Sequence, residues 1–238
     1  MKNKKALIIK NFPLEGPGLI EQVLNENGIG YEIVELGQGE DFPNPLDYSA
    51  LFVLGGPDSA NDQTPKMQNE LESIRKAIIY GTPYLGVCLG MQALVKANGG
   101  DVYKNPIKEI GFRDPQGNFF EISLMPNGSE DKIFSGIKSP MKIFQLHGET
   151  VKLAPHMELL AKGRFCMNQA VKIGKDAYGF QGHFEIDDKL FDKLIAEEPD
   201  LRRINPSSLR EDYNTLKAEY QDNGRKILNN FIKIFHLR

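Results

Sequence analysis

A buried strand, a sharp turn and a helix are predicted one after another by the stretch Tyr84-Leu-Gly-Val-Cys-Leu-Gly-Met-Gln92. The apolar run at residues 84–87 follows the turn signal Gly81-Thr-Pro83, and the helical pattern of residues 89–97 ends at Gly99-Gly100. Cys88 lies at the junction, in a Gly-x-Cys-x-Gly pattern whose glycines relieve crowding around a strained residue. We therefore predict a strand–nucleophile–helix turn with Cys88 at the N-terminus of the helix.

Strand and helix patterns alternate through the first hundred residues. Short β-rich runs and helical patterns occur at residues 6–9, 19–24, 32–36 and 51–54, separated by Gly, Pro or Asn, and residues 66–80 form a helical apolar stripe. Such alternation is typical of a parallel α/β sheet. We predict an α/β fold with a doubly wound, mostly parallel sheet flanked by helices.

The second half of the chain departs from this alternation. Between residues 101 and 173 the pattern favours short strands, expected at residues 109–112, 119–124, 142–146, 158–161 and 169–172, and we interpret this part as a β-rich insertion. Residues 187–197 predict a helix. Ser208-Leu-Arg-Glu211 has the form of a capping box and predicts the start of another helix.

The C-terminal segment carries one apolar face, made of Leu209, Tyr213, Leu216, Tyr220, Ile227, Leu228, Phe231, Ile232 and Phe235. An amphipathic helix usually buries such a face, so we expect it to pack back onto the sheet. A surface for a homodimer or another partner is the alternative. The domain hypothesis is an α/β domain at residues 1–190 and a C-terminal helical extension at residues 191–238 packed on the same domain.

Composition excludes several classes of protein. The 238 residues are 40% hydrophobic and 26% charged, and no apolar run approaches the ~20 residues of a membrane span, so neither disorder nor membrane insertion is expected. The net charge of −3 provides no basic footprint for nucleic acid. With two cysteines, four histidines and no C-x-x-C or H-x-x-x-H spacing, we expect a reducing cytoplasm, no metal site and no cofactor.

The candidate nucleophile is Cys88. Unpaired N–H groups and the dipole at a helix N-terminus favour a thiolate, although a buried cysteine in a Gly-rich turn can also be purely structural. A nucleophile needs a base, and His183 is the candidate because Glu185 follows it two residues later. On an extended segment the two side chains lie on the same face, so Glu185 could orient the His183 ring toward Cys88. His147 is the rival base, whereas the other two histidines, at positions 156 and 236, are expected to be exposed.

Attack on a carbonyl also needs donors for the oxyanion. Leu54-Gly-Gly-Pro-Asp-Ser59 follows a predicted buried strand, and a glycine amide at such a strand end can point into the site. Taken alone, Gly-Gly-Pro is equally consistent with a simple turn.

Four motifs follow one another along the chain: Gly55-Gly-Pro-Asp-Ser59, Gly86-Val-Cys-Leu-Gly-Met-Gln92, His147-Gly-Glu149 and Tyr178-Gly-Phe-Gln-Gly-His-Phe-Glu185. In this order and at these separations they resemble class I glutamine amidotransferases, which have a flavodoxin-like fold. The resemblance covers about residues 5–190. It is closest to free-standing members related to the amidotransferase domain of GMP synthase.

The resemblance implies a Cys88 nucleophile, His183 as base and acid, and Glu185 as the residue that orients the histidine. It also implies that the amides of Gly56 and Leu89 form the oxyanion hole.

The resemblance further implies that Gln92 holds the glutamyl end of the substrate and that the segment around His147 and Gly148 forms another wall. The sequence departs from the family pattern around the histidine, where Gly182 replaces the usual aromatic residue and Phe184 the usual proline. We expect these departures to affect the rigidity of the loop rather than the triad. At position 149 the chain has Glu where GMP synthase relatives usually have Asp, which leaves the acid chemistry unchanged.

The predicted reaction is hydrolysis of the γ-glutamyl amide of glutamine, a small-molecule substrate, through a Cys88 glutamyl thioester, with release of glutamate and ammonia. Family members pass the ammonia to a second active site. Neither a G-x-x-x-x-G-K-[ST] loop nor a Ser-Gly-Gly-rich pyrophosphatase loop occurs in these residues. The expectation is therefore either an unseen synthetase that accepts the ammonia or outright hydrolysis.

Three alternatives stay open at this point. A γ-glutamyl peptidase acting on γ-glutamyl peptides or glutathione derivatives would use the same triad, and the sequence does not separate it from a glutaminase. A non-catalytic binding module on the same fold would have an unreactive Cys88. The related cysteine-elbow stress-protein family shares the Gly-x-Cys turn but is not known for a His-x-Glu after the sheet.

Overall fold

The computed structural model describes residues 4–237. The first hundred residues contain β1 (Ala6–Lys10), α1 (Leu19–Glu26), β2 (Tyr31–Glu35), β3 (Ala50–Val53), α2 (Pro65–Ile79), β4 (Tyr84–Val87) and α3 (Leu89–Ala97). The rest contains β5 (Asp101–Gly111), β6 (Glu121–Leu124), α4 (Pro126–Glu130), β7 (Met141–Lys142), β8 (Gln145–Lys152), β9 (Met157–Gly163), β10 (Ala170–Ile173), β11 (Ala177–Phe180), α5 (Asp188–Glu197) and α6 (Pro206–Phe235).

Nine strands form the central sheet in the order β2-β1-β3-β4-β11-β10-β9-β6-β7. The five strands from β2 to β11 are paired in parallel, and the remaining strands join antiparallel. Strands β5 and β8 form a separate antiparallel pair. The predicted α/β fold with helices around a sheet is confirmed, and the β-rich part of the chain extends the parallel core with antiparallel strands.

Helices cover both faces of the parallel strands, which explains why these strands are apolar throughout. Ile8 and Phe52 belong to the core on one face, together with residues of α1 and α6. Leu7 and Val53 belong to the core on the other face, together with residues of α2 and α3. The sheet is therefore the middle layer of three.

The carboxyl ends of the parallel strands meet at one edge of the sheet. Strand order reverses at β1, because the chain continues to β2 on one side and to β3 on the other, and such a reversal opens a crevice beyond the strand ends. Three segments follow directly at this edge: Gly55-Gly56 after β3, Cys88 after β4, and residues 181–185 after β11. The topology thus brings three of the four sequence motifs toward one place, whereas the fourth, at residues 147–149, lies on β8 of the separate pair.

Two local predictions are wrong. Residues 142–146 are not one strand, because β7 ends at Lys142 and β8 begins at Gln145, while Phe144 between them forms a bridge with His183. Helix α6 does not begin at the Ser208 capping box but at Pro206. The Asn205 side chain accepts a hydrogen bond from the Ser207 N–H, so an N-cap and an N1 proline are already present three residues earlier.

Helix α6 buries its apolar face against the rest of the chain. Phe231 stacks edge-on against Phe52 of β3 with a centroid distance of 5.3 Å, and Tyr213 stacks on Phe191 of α5 at 4.1 Å. The division at residue 190 stays a prediction. None of the helices within residues 4–237 combines the length and the apolar character that crossing a membrane requires.

Candidate active site

Cys88 occupies a strained turn between β4 and α3. Its φ of +52° lies in the left-handed region that residues with side chains rarely adopt. Both flanking glycines are required by close approach: a Cβ on Gly86 would lie 2.6 Å from the Gly90 carbonyl carbon, and a Cβ on Gly90 would lie 2.1 Å from the Val53 carbonyl oxygen. The turn holds Cys88 at the N-terminus of α3, where the sequence pattern predicts it.

His183 and Glu185 form a buried pair next to this turn. His183 Nδ1 lies 2.7 Å from Glu185 Oε1, and the second carboxylate oxygen accepts a 2.9 Å hydrogen bond from the Phe184 N–H. The His183 backbone is also fixed, because its N–H donates to Phe144 and its carbonyl oxygen accepts from the Tyr220 hydroxyl, both at 2.8 Å. The ring is therefore held in one orientation.

The second ring nitrogen of His183 is available for chemistry. Among the described residues, Nε2 is buried without a hydrogen-bond partner. Burial disfavours the charged ring, but the negative charge of Glu185 and the neighbouring Cys88 side chain outweigh it, so the pKa of His183 is raised well above its ordinary value. A buried, basic nitrogen thus lies beside the cysteine.

A cavity of about 390 Å³ opens at this edge of the sheet. Of the residues predicted from sequence, the cavity is lined by Gly56, Cys88, Gln92, His147 and Gly148. The remaining three, Leu89, His183 and Glu185, are 1%, 2% and 3% exposed and are not among the lining residues. All eight belong to one region, and their individual roles stay predictions. A larger cavity of about 770 Å³ lies elsewhere, at Phe119 and Arg164, and none of the eight lines it.

The Gly55-Gly56 loop is held by a polar pair that sequence reasoning missed. A Cβ on Gly56 would lie 2.8 Å from Cβ of Asn11, and Asn11 Nδ2 donates a 2.8 Å hydrogen bond to the buried carboxyl of Glu70. Burial raises the pKa of Glu70 to about 7. The position of Asn11, directly after an apolar strand, is the one signal that could have pointed to it.

Gln92 connects three parts of the site. Its Nε2 donates to the Glu149 carbonyl oxygen at 3.1 Å and to Gln181 Oε1 at 3.3 Å, and Gln181 Nε2 in turn lies 3.9 Å from Cys88 Sγ. The side chain is 4% exposed, and the residue lines the cavity. Gln92 therefore fixes the 147–149 segment relative to Cys88.

His147 uses both of its ring nitrogens inside the protein. Nδ1 lies 3.0 Å from the Glu149 carbonyl oxygen, and Nε2 lies 2.7 Å from Glu109 Oε2. A carbonyl oxygen only accepts, so Nδ1 carries a hydrogen, and the short contact with Glu109 then needs one further proton. Gln169 Nε2 donates to the same carboxylate oxygen at 3.0 Å. Both ring nitrogens of His147 are therefore engaged by groups other than Cys88.

The second cysteine lies in this buried cluster. One ligand-type atom each of Glu109, His147 and Cys166 lies within 4.8 Å of the others. The Cys166 thiol is within 3.0 Å of the Thr150 hydroxyl, and burial raises its pKa to about 12. At neutral pH this cysteine is a protonated thiol away from the cavity, as expected of a packing residue.

Glu15 is a further residue that sequence reasoning missed. It lines the cavity, and its carboxylate lies against Gly55, where an added Cβ would be 2.3 Å from Oε2. Burial raises its pKa to about 7; the charge of His183 lowers it, while Glu185 and Glu198 raise it. In the sequence Glu15 is one acid in a proline- and glycine-rich loop, which gives no signal of a site.

The departures around the histidine have a packing reason. A Cβ on Gly182 would lie 2.8 Å from Ile143 Cδ1 and 2.9 Å from Gln145 Oε1, so an aromatic side chain does not fit there. Phe184 is 1% exposed and packs against Phe180 at a centroid distance of 4.8 Å. Both substitutions are accommodated by tight packing next to the pair of His183 and Glu185.

Sequence comparison identifies the same family. The family of class-I glutamine amidotransferases matches residues 18–198. A glutamine amidotransferase-like protein of Salmonella typhimurium, YfeJ, is 29% identical over 158 residues, which are 64% of this chain and 63% of that protein. A GMP synthase of Herminiimonas arsenicoxydans is 24% identical over 79% of this chain, but this match spans only 34% of the synthase.

Solved structures agree on the fold. A glutamine amidotransferase from Thermotoga maritima has a TM-score of 0.86 and covers 98% of this chain and all of its own, at 24% identity. One from Methylobacillus flagellatus has a TM-score of 0.85 at 26% identity and covers 98% of this chain and 96% of its own.

Proposed function

Because the chain belongs to the class I glutamine amidotransferase family, we propose that it is a cysteine hydrolase that cleaves the γ-glutamyl amide of glutamine. The nucleophile in this proposal is Cys88, and the products are glutamate and ammonia. The observation that carries the proposal is the buried, unpartnered Nε2 of His183 beside Cys88, at a cavity large enough for an amino acid.

In the first half of the reaction, the Cys88 thiol gives its proton to His183 Nε2 and its sulfur attacks the γ-carbonyl carbon. Glu185 holds Nδ1–H, so Nε2 is the atom that exchanges the proton. The N–H groups of Gly56 and Leu89 stabilise the oxyanion, since the first N–H groups of a helix have no acceptor within the helix. The carbon–nitrogen bond then breaks, and the leaving nitrogen takes the proton from His183.

In the second half, water attacks the glutamyl thioester. His183 Nε2 removes a proton from the water, the carbon–sulfur bond breaks, and the Cys88 sulfur recovers the proton. Gln92 and Gly148 hold the glutamyl end in both halves. The raised pKa of His183 favours the charged ring, which stabilises the thiolate that forms when Cys88 gives up its proton.

The purified chain tests this proposal directly. We expect it to release glutamate and ammonia in equal amounts from glutamine, and to be labelled once by a γ-glutamyl diazoketone. Mass spectrometry should place the label on Cys88. A label on Cys166, or no turnover of any γ-glutamyl compound, would contradict the assignment.

An ammonia acceptor is also part of the proposal. The GMP synthases that match are about three times longer than the matched segment, so their remaining parts have no counterpart in this comparison. We propose that a separate synthetase accepts the ammonia when glutamine is the substrate. We also propose a reducing cytoplasm as the compartment, because the nucleophile is a free thiol.

A further inference from the structure

Gln181 lies beside Cys88, although the two residues are far apart in the sequence. Strands β4 and β11 run in parallel with Val87 opposite Phe180. The residues that follow, Cys88 and Gln181, therefore leave the sheet next to each other, and the Cys88 N–H donates to the Phe180 carbonyl oxygen at 2.8 Å. The Gln181 side chain is fully buried, and its Nε2 lies 3.9 Å from Cys88 Sγ. Its amide thus faces the sulfur that the proposed reaction uses.

The orientation of this amide is determined by a backbone carbonyl group. The Glu149 carbonyl oxygen can only accept a hydrogen bond, so the atom of Gln92 that faces it at 3.1 Å is the donor Nε2. The same nitrogen lies 3.3 Å from the Gln181 amide and donates to its Oε1. Because the oxygen of Gln181 faces Gln92, its nitrogen faces Cys88. The opposite orientation would place two donor nitrogens against each other.

The sulfur of Cys88 has one hydrogen-bond acceptor and one donor next to it. In the thiol form its S–H donates to the Leu146 carbonyl oxygen, which lies 3.7 Å away. Once the proton has left, this oxygen is no longer a partner, because a carbonyl group has no hydrogen to donate. The N–H of Gln181 is a partner that a negatively charged sulfur can use. The two neighbours therefore suit the two protonation states of Cys88.

We infer, building on the proposed function, that Gln181 is a further catalytic residue whose side-chain N–H donates a hydrogen bond to the Cys88 sulfur whenever that sulfur is negatively charged. This charge is present twice in each turnover. It forms when His183 takes the thiol proton before the attack, and again when the carbon–sulfur bond of the thioester breaks. The hydrogen stays on Gln181 both times, so the bonds made and broken are those of the proposed reaction. Gln92 is a positioning residue, because it holds the Gln181 oxygen.

Alkylation of Cys88 by iodoacetamide at neutral pH tests this donor without any γ-glutamyl compound. Gln181→Met keeps the length of the side chain and removes the N–H group. We expect the rate of labelling at Cys88, followed by mass spectrometry, to fall roughly tenfold, because a hydrogen bond to a charged group is lost. With glutamine as substrate, kcat should fall by a similar factor while KM changes less than about threefold.

Gln92→Met is a second variant that leaves Gln181 in place. It removes the donor that holds the Gln181 oxygen, so the amide is free to turn away from the sulfur. The labelling rate should fall roughly threefold in the wild-type background and hardly at all in the Gln181→Met background, because the two residues act through one contact. An unchanged rate in Gln92→Met would contradict the inference even if Gln181→Met did not fold.

Gln169→Met is the matched control. Gln169 is also a fully buried glutamine, but its Nε2 donates to the Glu109 carboxylate at 3.0 Å. The variant loses a buried amide of the same kind, so its free energy of unfolding should decrease as in Gln181→Met. Its labelling rate at Cys88 should stay close to that of the wild type, because no donor to the sulfur is lost.

The outcomes separate the inference from the proposed function. A wild-type labelling rate in Gln181→Met, or an equally low rate in Gln169→Met, would overturn the inference and leave a γ-glutamyl hydrolase in which Gln181 only stabilises the fold. Failure of the wild-type chain to hydrolyse any γ-glutamyl compound would overturn the proposed function. The labelling rates would then still show whether Gln181 donates to the sulfur, since iodoacetamide reports on Cys88 alone.

Discussion

His183 with Glu185 and His147 with Glu109 form two buried histidine–carboxylate pairs in this molecule. In each, a ring nitrogen is 2.7 Å from a carboxylate oxygen, and a cysteine is nearby. They differ in the second nitrogen, which is unpartnered in His183 and bound to the Glu149 carbonyl oxygen in His147. A pair of this kind becomes suited to proton transfer only when one nitrogen is left free.

The cysteines differ in the same way. Cys88 is held at a positive φ in a turn that lines the cavity, whereas Cys166 is fully buried beside the Thr150 hydroxyl. The low polarity around Cys166 raises its pKa to about 12 and keeps it protonated. We therefore propose that the first cluster carries out the reaction and that the second supports the 147–149 wall.

The largest expected effect comes from replacing each of the two cysteines in turn with alanine. Cys88→Ala should lower kcat for glutamate release by roughly 10⁴-fold or more, because no thioester can form. Cys166→Ala should keep kcat within about twofold, since the residue only packs. Loss of activity in Cys166→Ala, with activity retained in Cys88→Ala, would show that the second cluster is the catalytic one.

The two histidine variants should differ in activity in the same sense as the two cysteine variants. His183→Ala removes the proton acceptor and donor, so kcat should fall roughly 10³-fold, and alkylation of Cys88 by a mild electrophile should slow. His147→Ala should mainly raise KM, because the ring supports the wall and not the sulfur. If His147→Ala instead abolished the alkylation of Cys88 and His183→Ala did not, the two assignments would have to be exchanged.

Replacing the carboxylates of the two pairs, Glu185 and Glu109, should give a smaller difference in kcat. Glu185→Gln removes the charge that holds the His183 proton, so kcat should fall roughly 10²-fold and the pKa of His183 should drop, because burial then dominates. Histidine NMR titration measures that drop. Glu109→Gln should cost less than about tenfold in kcat, since its amide can donate to a neutral His147. An unmoved His183 pKa in Glu185→Gln would contradict this account.

A third buried carboxyl, that of Glu70, has no histidine partner, and its pKa differs accordingly from the ordinary value. Its hydrogen-bond partner is the neutral Asn11 amide, and its pKa is raised from 4.5 to about 7, mainly by burial. The folded state holds this proton more tightly, so the stabilisation is complete below about pH 4.5 and is lost as the pH rises through 7. Glu70→Gln should therefore raise the free energy of unfolding by up to about 3 kcal/mol at pH 8, with no gain near pH 4.5.

Urea unfolding of both proteins across this pH range measures the difference. A gain that is the same at pH 4.5 and pH 8 would mean that the carboxyl does not titrate between them.

The local pattern was sufficient for most elements and for the motif residues. Strand β4 and helix α3 are predictable because the apolar run, the glycines and the helical stripe all lie within one short stretch. Residues such as Asn11, Glu15 and Glu109 were not predictable. Each is a single polar residue whose meaning comes from the strand order, which brings distant loops to the same sheet edge and buries side chains that look like ordinary surface residues in sequence.

The smallest expected effect concerns the link between α6 and the catalytic candidate. The Tyr220 hydroxyl donates a 2.8 Å hydrogen bond to the His183 carbonyl oxygen, and both groups are buried. Tyr220→Phe leaves that carbonyl without its partner, which should cost about 1–2 kcal/mol of unfolding free energy and lower kcat less than tenfold.

The control is Tyr213→Phe. Tyr213 lies on the same face of α6 as Tyr220, but the 2.7 Å hydrogen bond that this variant removes, to Asp188, is away from His183. It should lower stability without changing kcat, because nothing that positions His183 is lost. Equal kcat values in the two variants would mean that α6 supports the fold alone, and a lower kcat only in Tyr220→Phe would make the C-terminal helix part of the apparatus that holds His183 toward Cys88.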